Sequence, residues 1–139
     1  MIDETKARIL SSVRTIAVVG LSSNPGRAGY YVPAYLQAQG YQIIPVNPNL
    51  QEALGERAYA SLTAVPQPID LVLIFQRSEK VPPLVDEAIA VAATAVWLQT
   101  GIYHEAAAAK ARQAGLDVVM DACMMVEHRR WHAQQSPEI

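Results

Sequence analysis

Apolar residues in this chain alternate between two patterns: short unbroken runs, and longer stretches in which they recur every three or four positions. Unbroken runs bounded by breakers read as strands buried on both faces, and the wider spacing reads as helix. Ile16-Ala17-Val18-Val19-Gly20 is the first such run, after which Tyr30, Tyr31, Ala34, Tyr35 and Ala38 recur at helical spacing before Gly40, a helix stop. Ahead of them, Ile9, Leu10 and Val13 follow Asp3 and Glu4, whose charge suits a helix N-terminus, so residues 3–13 are predicted to form a leading helix. A second strand is expected over residues 41–46. Its Pro45 has no N–H to donate and belongs at a strand end or where one ladder bond is not needed.

Asn47-Pro48-Asn49 breaks the chain, and residues 51–68 read as an irregular surface connection with a one-turn helix near residues 61–64. Alternation then resumes with a strand over residues 69–75 and a helix over 79–93, whose Pro82 and Pro83 fall in the first turn, where a missing N–H costs least. A strand over 95–98, an alanine-rich helix over 104–114 ending at Gly115, a strand over 116–120 and a helix through about Trp131 complete the pattern. The tail, residues 134–139, is expected to fray. Strands alternating with helices predict an α/β fold in which a five-stranded parallel sheet is covered on both faces and joined by right-handed crossovers. In such folds the ligand sits outside the carboxyl ends of the strands, near the point where strand order reverses.

Composition narrows the function classes. The 139 residues suit one domain, and at 51% hydrophobic, 17% charged and a net charge of -2 the chain is neither a disordered acidic tail nor a basic nucleic-acid binder. An anionic ligand must therefore be held by local groups. The single cysteine, Cys123, has no partner for an intramolecular disulfide, and the first residues lack the basic start and apolar stretch of a signal peptide, so a cytoplasmic location is expected. No apolar run approaches the roughly 20 residues that span a bilayer.

The first strand leads into Leu21-Ser22-Ser23-Asn24-Pro25-Gly26-Arg27-Ala28-Gly29, the usual position of a nucleotide-binding βα turn. Its glycines at 20, 26 and 29 are spaced more widely than a dinucleotide fingerprint requires. Ser22, Ser23 and Asn24 bring polar groups, Arg27 a cation, and the helix start unpaired N–H groups, a set suited to a phosphate or pyrophosphate. An NAD site usually carries an acid for the ribose at the end of the second strand. Here Val46-Asn47-Pro48-Asn49 has none before Glu52. NAD is disfavoured, whereas a nucleotide without that free diol, or with a phosphate on that ribose, stays open.

The runs at 16–22, 44–48, 54–56, 70–72, 75–77, 96–102 and 119–123, continuing to Glu127-His128, together resemble the small CoA-binding domain proteins. That family is similar to the N-terminal domain of the succinyl-CoA ligase α subunit. The resemblance spans about residues 13–131 and implies a Rossmann-like, three-layer domain that binds coenzyme A or an acyl-CoA. On it, Gly20, Ser22, Ser23, Asn24 and Arg27 surround the pyrophosphate, while Asn47, Pro48 and Asn49 border the adenosine ribose and its 3′-phosphate. Phe75, Gln76 and Arg77 line the adenine side, and Leu98, Gln99, Thr100 and Gly101 meet the start of the pantetheine arm. One departure matters: relatives commonly carry a lysine after the second strand near the 3′-phosphate, where this chain has Asn49 and Leu50, leaving Arg27 or Arg77 to supply the charge. Ligase chemistry, which needs a second domain and a partner subunit, is not implied. An NADP-dependent oxidoreductase, with Arg27 or Asn49 at the 2′-phosphate, and a docking subunit of a larger acyl-CoA enzyme are the alternatives.

Other candidate chemistry has plainer readings. Cys123 at a helix start invites a mixed disulfide with the ligand thiol but reads first as a small buried hydrophobe. Asp121 reads as the N-cap of the last helix. Glu127, His128 and His132 lack the order of a zinc protease pair, and with Arg129 and Arg130 they read as a solvated basic helix end. Gly20-Leu21-Ser22 is not a nucleophile elbow, since Asn24 stands where the second glycine belongs. The tyrosines at 30, 31 and 35 read as core or a subunit contact, which allows a homodimer. No catalytic or metal residue is assigned.

Overall fold

The structure, a computed structural model, describes residues 2–135. Helix α1 (Glu4–Ser12) starts at Asp3, whose carboxylate accepts the Lys6 N–H at 2.9 Å and so satisfies one of the helix's orphan donors. Strand β1 (Thr15–Val19), helix α2 (Ala28–Ala38) and strand β2 (Gln42–Val46) follow. A small hairpin, β3 (Glu52–Ala53) and β4 (Glu56–Arg57), precedes β5 (Leu71–Ile74), α3 (Val81–Ala90), β6 (Ala95–Leu98), α4 (Glu105–Gln113), β7 (Asp117–Val119) and α5 (Met124–Gln135). Gln134 and Gln135 extend α5, and the rest of the expected frayed tail lies outside the described residues.

The main sheet has the parallel order β2-β1-β5-β6-β7. The chain runs from β1 outward to β2 and then crosses back past β1 to β5, so strand order reverses between β1 and β5. Ile16 and Val18 point into one layer with Leu10 of α1, Val32 and Leu36 of α2 and Met124 of α5. Ala17 and Val19 point into the other, with Val85 of α3 and Ala111 of α4. Covering both faces is why each strand is an unbroken apolar run. The fold is α/β, Rossmann-like and three-layered, as expected.

Residues 51–68 hold more structure than their irregular pattern suggests. The β3–β4 turn places Leu54 at φ 55° and Gly55 at φ 75°, the double left-handed geometry of a tight hairpin. Glycine adopts that conformation freely and leucine does not, so Gly55 alone marked the turn and Leu54 obscured it. The expected one-turn helix is present as a 3₁₀ turn over Leu62–Ala64. Tyr59 then runs beside β2, donating its N–H to the Pro45 carbonyl at 3.0 Å and accepting the Asn47 N–H at 2.8 Å. In a strand a residue's nitrogen and carbonyl point the same way, so the N–H that Pro45 lacks would face this outer edge. The ladder to β1 therefore loses nothing.

Candidate functional site

Gly20 ends β1 at φ 86° and passes against β5: a Cβ there would lie 3.1 Å from Gln76 Nε2 and 3.3 Å from the Phe75 backbone. Gly29, in the first turn of α2, lies so close to the loop that a Cβ would come within 3.2 Å of the Gly20 carbonyl oxygen. These glycines let the loop press onto both the helix start and the neighbouring strand. Between them a chain of local bonds sets the loop: the Asn24 N–H donates to Ser22 Oγ at 3.0 Å, the Gly26 N–H to Asn24 Oδ1 at 2.9 Å, and the Arg27 N–H to the Asn24 carbonyl at 3.0 Å.

Pro33 inside α2 takes part at a distance. Proline cannot donate to the carbonyl four residues back, so the Gly29 carbonyl is left free, and it accepts the Ser22 N–H at 3.0 Å. The helix interior gives up one bond and the loop gains an anchor. Asn47 supplies a second anchor, its Nδ2 donating to the Leu21 carbonyl at 2.9 Å while its Oδ1 accepts the Asn49 N–H at 2.8 Å. The ends of β1 and β2 are thereby tied together.

Above these anchors, at the carboxyl edge and over the β1–β5 switch point, lies an open crevice of about 900 Å³. No side chain caps the start of α2, its first turn holds no acid, and the N–H groups of Leu21, Ser23, Ala28 and Gly29 have no partner among the described residues. Unpaired amides at the positive end of a helix are the groups that favour an anion. The crevice lining includes the cations Arg27 and Lys80 and no carboxylate.

Of the residues expected at the site, Gly20, Ser22, Ser23, Arg27, Asn47, Pro48, Asn49, Phe75 and Gln76 line this crevice. Asn24 stands just outside, shaping the loop through Gly26. Arg77 is exposed, its Nε 3.1 Å from Glu79 Oε1. Leu98 is buried in the core facing α3 and α4, and Gln99 is 4% exposed. Thr100 and Gly101 are exposed beyond the end of β6, where the Gly101 N–H donates to Asp121 Oδ1 at 2.7 Å. Sequence reasoning missed Lys80, which comes from the 3₁₀ turn Ser78–Lys80 ahead of α3, because no motif marks it.

Two local readings change. Asp121 is not the cap of α5: it sits at φ 53°, bonded to Gly101, and the Met124 N–H is taken at 2.8 Å by Gln99 Oε1 reaching from β6. The start of the α5 charged segment is not a solvated face either. Glu127 and His128 are 6% and 4% exposed, because α5 packs on α1 and α2. Glu127 is paired with Lys6 at 3.3 Å and Arg130 at 3.0 Å, while His128 Nδ1 shares a hydrogen bond with the Tyr35 hydroxyl at 2.8 Å. Burial, reinforced by the stacked His132, pushes the His128 pKa below its usual value. The tyrosine stripe divides, with Tyr35 bonded to α5 and Tyr31 exposed at the surface. Among the described residues no group of acids, histidines and cysteine could hold a metal ion, and no helix is long and apolar enough to cross a membrane.

Comparison with known proteins fits this geometry. A family model described as a CoA binding domain matches residues 14–129. The uncharacterized protein YneT of Bacillus subtilis is 42% identical over 120 residues, covering 86% of this chain and 89% of the relative. An ADP-forming acetate–CoA ligase of Methanocaldococcus jannaschii is 30% identical over 80 residues, or 58% of this chain and only 11% of the ligase. A solved hypothetical protein from Pyrococcus horikoshii superimposes with a TM-score of 0.90 at 38% identity, covering 95% of this chain and 93% of that one.

Proposed function

This chain belongs to the CoA-binding domain family, and on that premise we propose that it binds coenzyme A or an acyl-CoA at the carboxyl edge of its sheet. The observation that carries the reading is the crevice over the switch point, which pairs an uncapped helix start and two cations with a lining free of carboxylates. The pyrophosphate rests on the amides of Ala28 and Gly29 with Ser22, Ser23 and Arg27 around it. Asn47, Pro48 and Asn49 border the ribose, Phe75 and Gln76 the adenine, and the pantetheine arm leaves toward Thr100 and Gly101. The absence of an acid at the end of β2 argues against NAD.

The crevice lining offers no imidazole, thiol or carboxylate to act as a general base, which favours binding without chemistry of its own. Calorimetric titration with coenzyme A, dephospho-coenzyme A, NAD and NADP tests the assignment. Coenzyme A binds and NAD does not; NAD binding without coenzyme A refutes the reading, and NADP binding with hydride transfer would favour an oxidoreductase. A second reading, docking onto a larger acyl-CoA enzyme in the cytoplasm, is supported by the match to a short part of an acetate–CoA ligase. Tagged protein purified from its own cell lysate should then bring such an enzyme with it, and recovery as a free chain counts against docking.

A further inference from the structure

We propose that Lys80 reads the ribose phosphate of the bound nucleotide, in place of the cation that the end of β2 lacks. The inference rests on the coenzyme A reading and deepens it. Asn47, Pro48, Asn49 and Leu50, which follow β2 along the crevice, carry no charge, so the second strand brings no cation to the ribose side. Arg77 is turned toward Glu79 in an exposed pair and does not line the crevice. Arg27 precedes α2 and belongs with the pyrophosphate. Lys80 remains, lining the crevice without an ion pair among the described residues.

Its position is set by the backbone. The Lys80 N–H donates to the Arg77 carbonyl at 2.9 Å and closes the 3₁₀ turn that leads into α3. Pro82 and Pro83 occupy the first turn of α3 and carry no N–H. Unlike α2, this helix start therefore cannot hold an anion through its amides, and the lysine side chain is the anion-binding group on this wall.

Lys80 also stands at the boundary with an adjoining cavity of about 390 Å³, which shares Pro48, Gln76 and Lys80 with the crevice and is lined in addition by Glu79 and Glu87. Glu79 is already paired with Arg77, but Glu87 has no ion pair among the described residues and disfavours a phosphate on that side of the lysine. A ribose phosphomonoester, with close to two negative charges above about pH 6, is the group that gains most from a single ammonium there.

Titrating coenzyme A and dephospho-coenzyme A into wild type, Lys80→Met and Lys80→Arg tests this. Wild type prefers coenzyme A by roughly tenfold. Lys80→Met binds the two alike, with dephospho-coenzyme A held as wild type holds it, and Lys80→Arg restores the preference. The wild-type preference shrinks as pH falls through about 6, where the phosphomonoester gains a proton, and this pH dependence is absent in Lys80→Met, whereas a purely structural lysine would leave it in place. A tenfold preference retained in Lys80→Met overturns the proposal, as does a wild type that binds both ligands equally. Wild type that binds neither ligand overturns the coenzyme A reading itself, and this one with it.

Discussion

Replacing Gln99 by leucine removes one hydrogen bond while nearly keeping the side-chain volume. Gln99 Oε1 is the acceptor for the Met124 N–H at 2.8 Å, and Met124 opens α5, so that N–H has no partner within the helix. Both residues are buried, Gln99 at 4% and Met124 at 0% exposure, and water does not replace the lost oxygen. A net hydrogen bond is worth about 1 kcal/mol, and an orphaned buried donor costs about 1–3 kcal/mol more. Leucine recovers part of this through apolar burial, which leaves a loss of about 2 kcal/mol. For a chain of this length that lowers the melting temperature by roughly 5–8 °C. Urea unfolding followed by tryptophan fluorescence reads the change directly, since Trp97 is fully buried and donates its Nε1–H to the Ala122 carbonyl beside α5 at 2.9 Å. A variant within about 0.5 kcal/mol of wild type refutes the capping role. Equal stability with weaker coenzyme A binding would return Gln99 to the pantetheine arm.

On the proposed coenzyme A reading, Arg27→Ala weakens coenzyme A and dephospho-coenzyme A alike, by roughly fivefold to tenfold in calorimetry, because that reading sets Arg27 beside the pyrophosphate that both ligands share. Gly20→Ala destabilises the fold by about 1–2 kcal/mol in urea unfolding, since a left-handed φ of 86° and a 3.3 Å approach to the Phe75 backbone both penalise a Cβ. His128 stays neutral more readily in the fold than in the unfolded chain, so stability is full above about pH 6.5 and falls as pH drops below it, when the unfolded state takes up the proton first. Measured between pH 7.5 and 5, that slope is shallower in His128→Gln; an identical slope assigns the acid sensitivity elsewhere.

Local signals carried the layout of the sheet. The unbroken run at 16–20, the tyrosine spacing up to Gly40 and the prolines at 82 and 83 each act within a few residues, so strand and helix types were legible along the chain. Ends shifted by one to three residues, as with β5 over Leu71–Ile74 and α3 over Val81–Ala90, because ladder bonds and packing set where an element stops. The β3–β4 hairpin stayed hidden because a leucine holds the left-handed position that glycine or asparagine would advertise.

The candidate site divides along the same line. The loop from Gly20 to Gly29 and the missing acid after β2 were readable, since a polar loop between glycines and the residues that end a strand are written consecutively. Lys80 at the crevice, Gln99 at the start of α5 and the burial of Glu127 and His128 were not, for each depends on groups brought together from distant parts of the chain. Sequence by itself determined the period of each element and the polar character of the strand ends. Tertiary structure decided which cation faces the crevice and which polar side chains serve the core, because parallel strands become neighbours only after a helix-long crossover, and no local pattern records who the neighbour is.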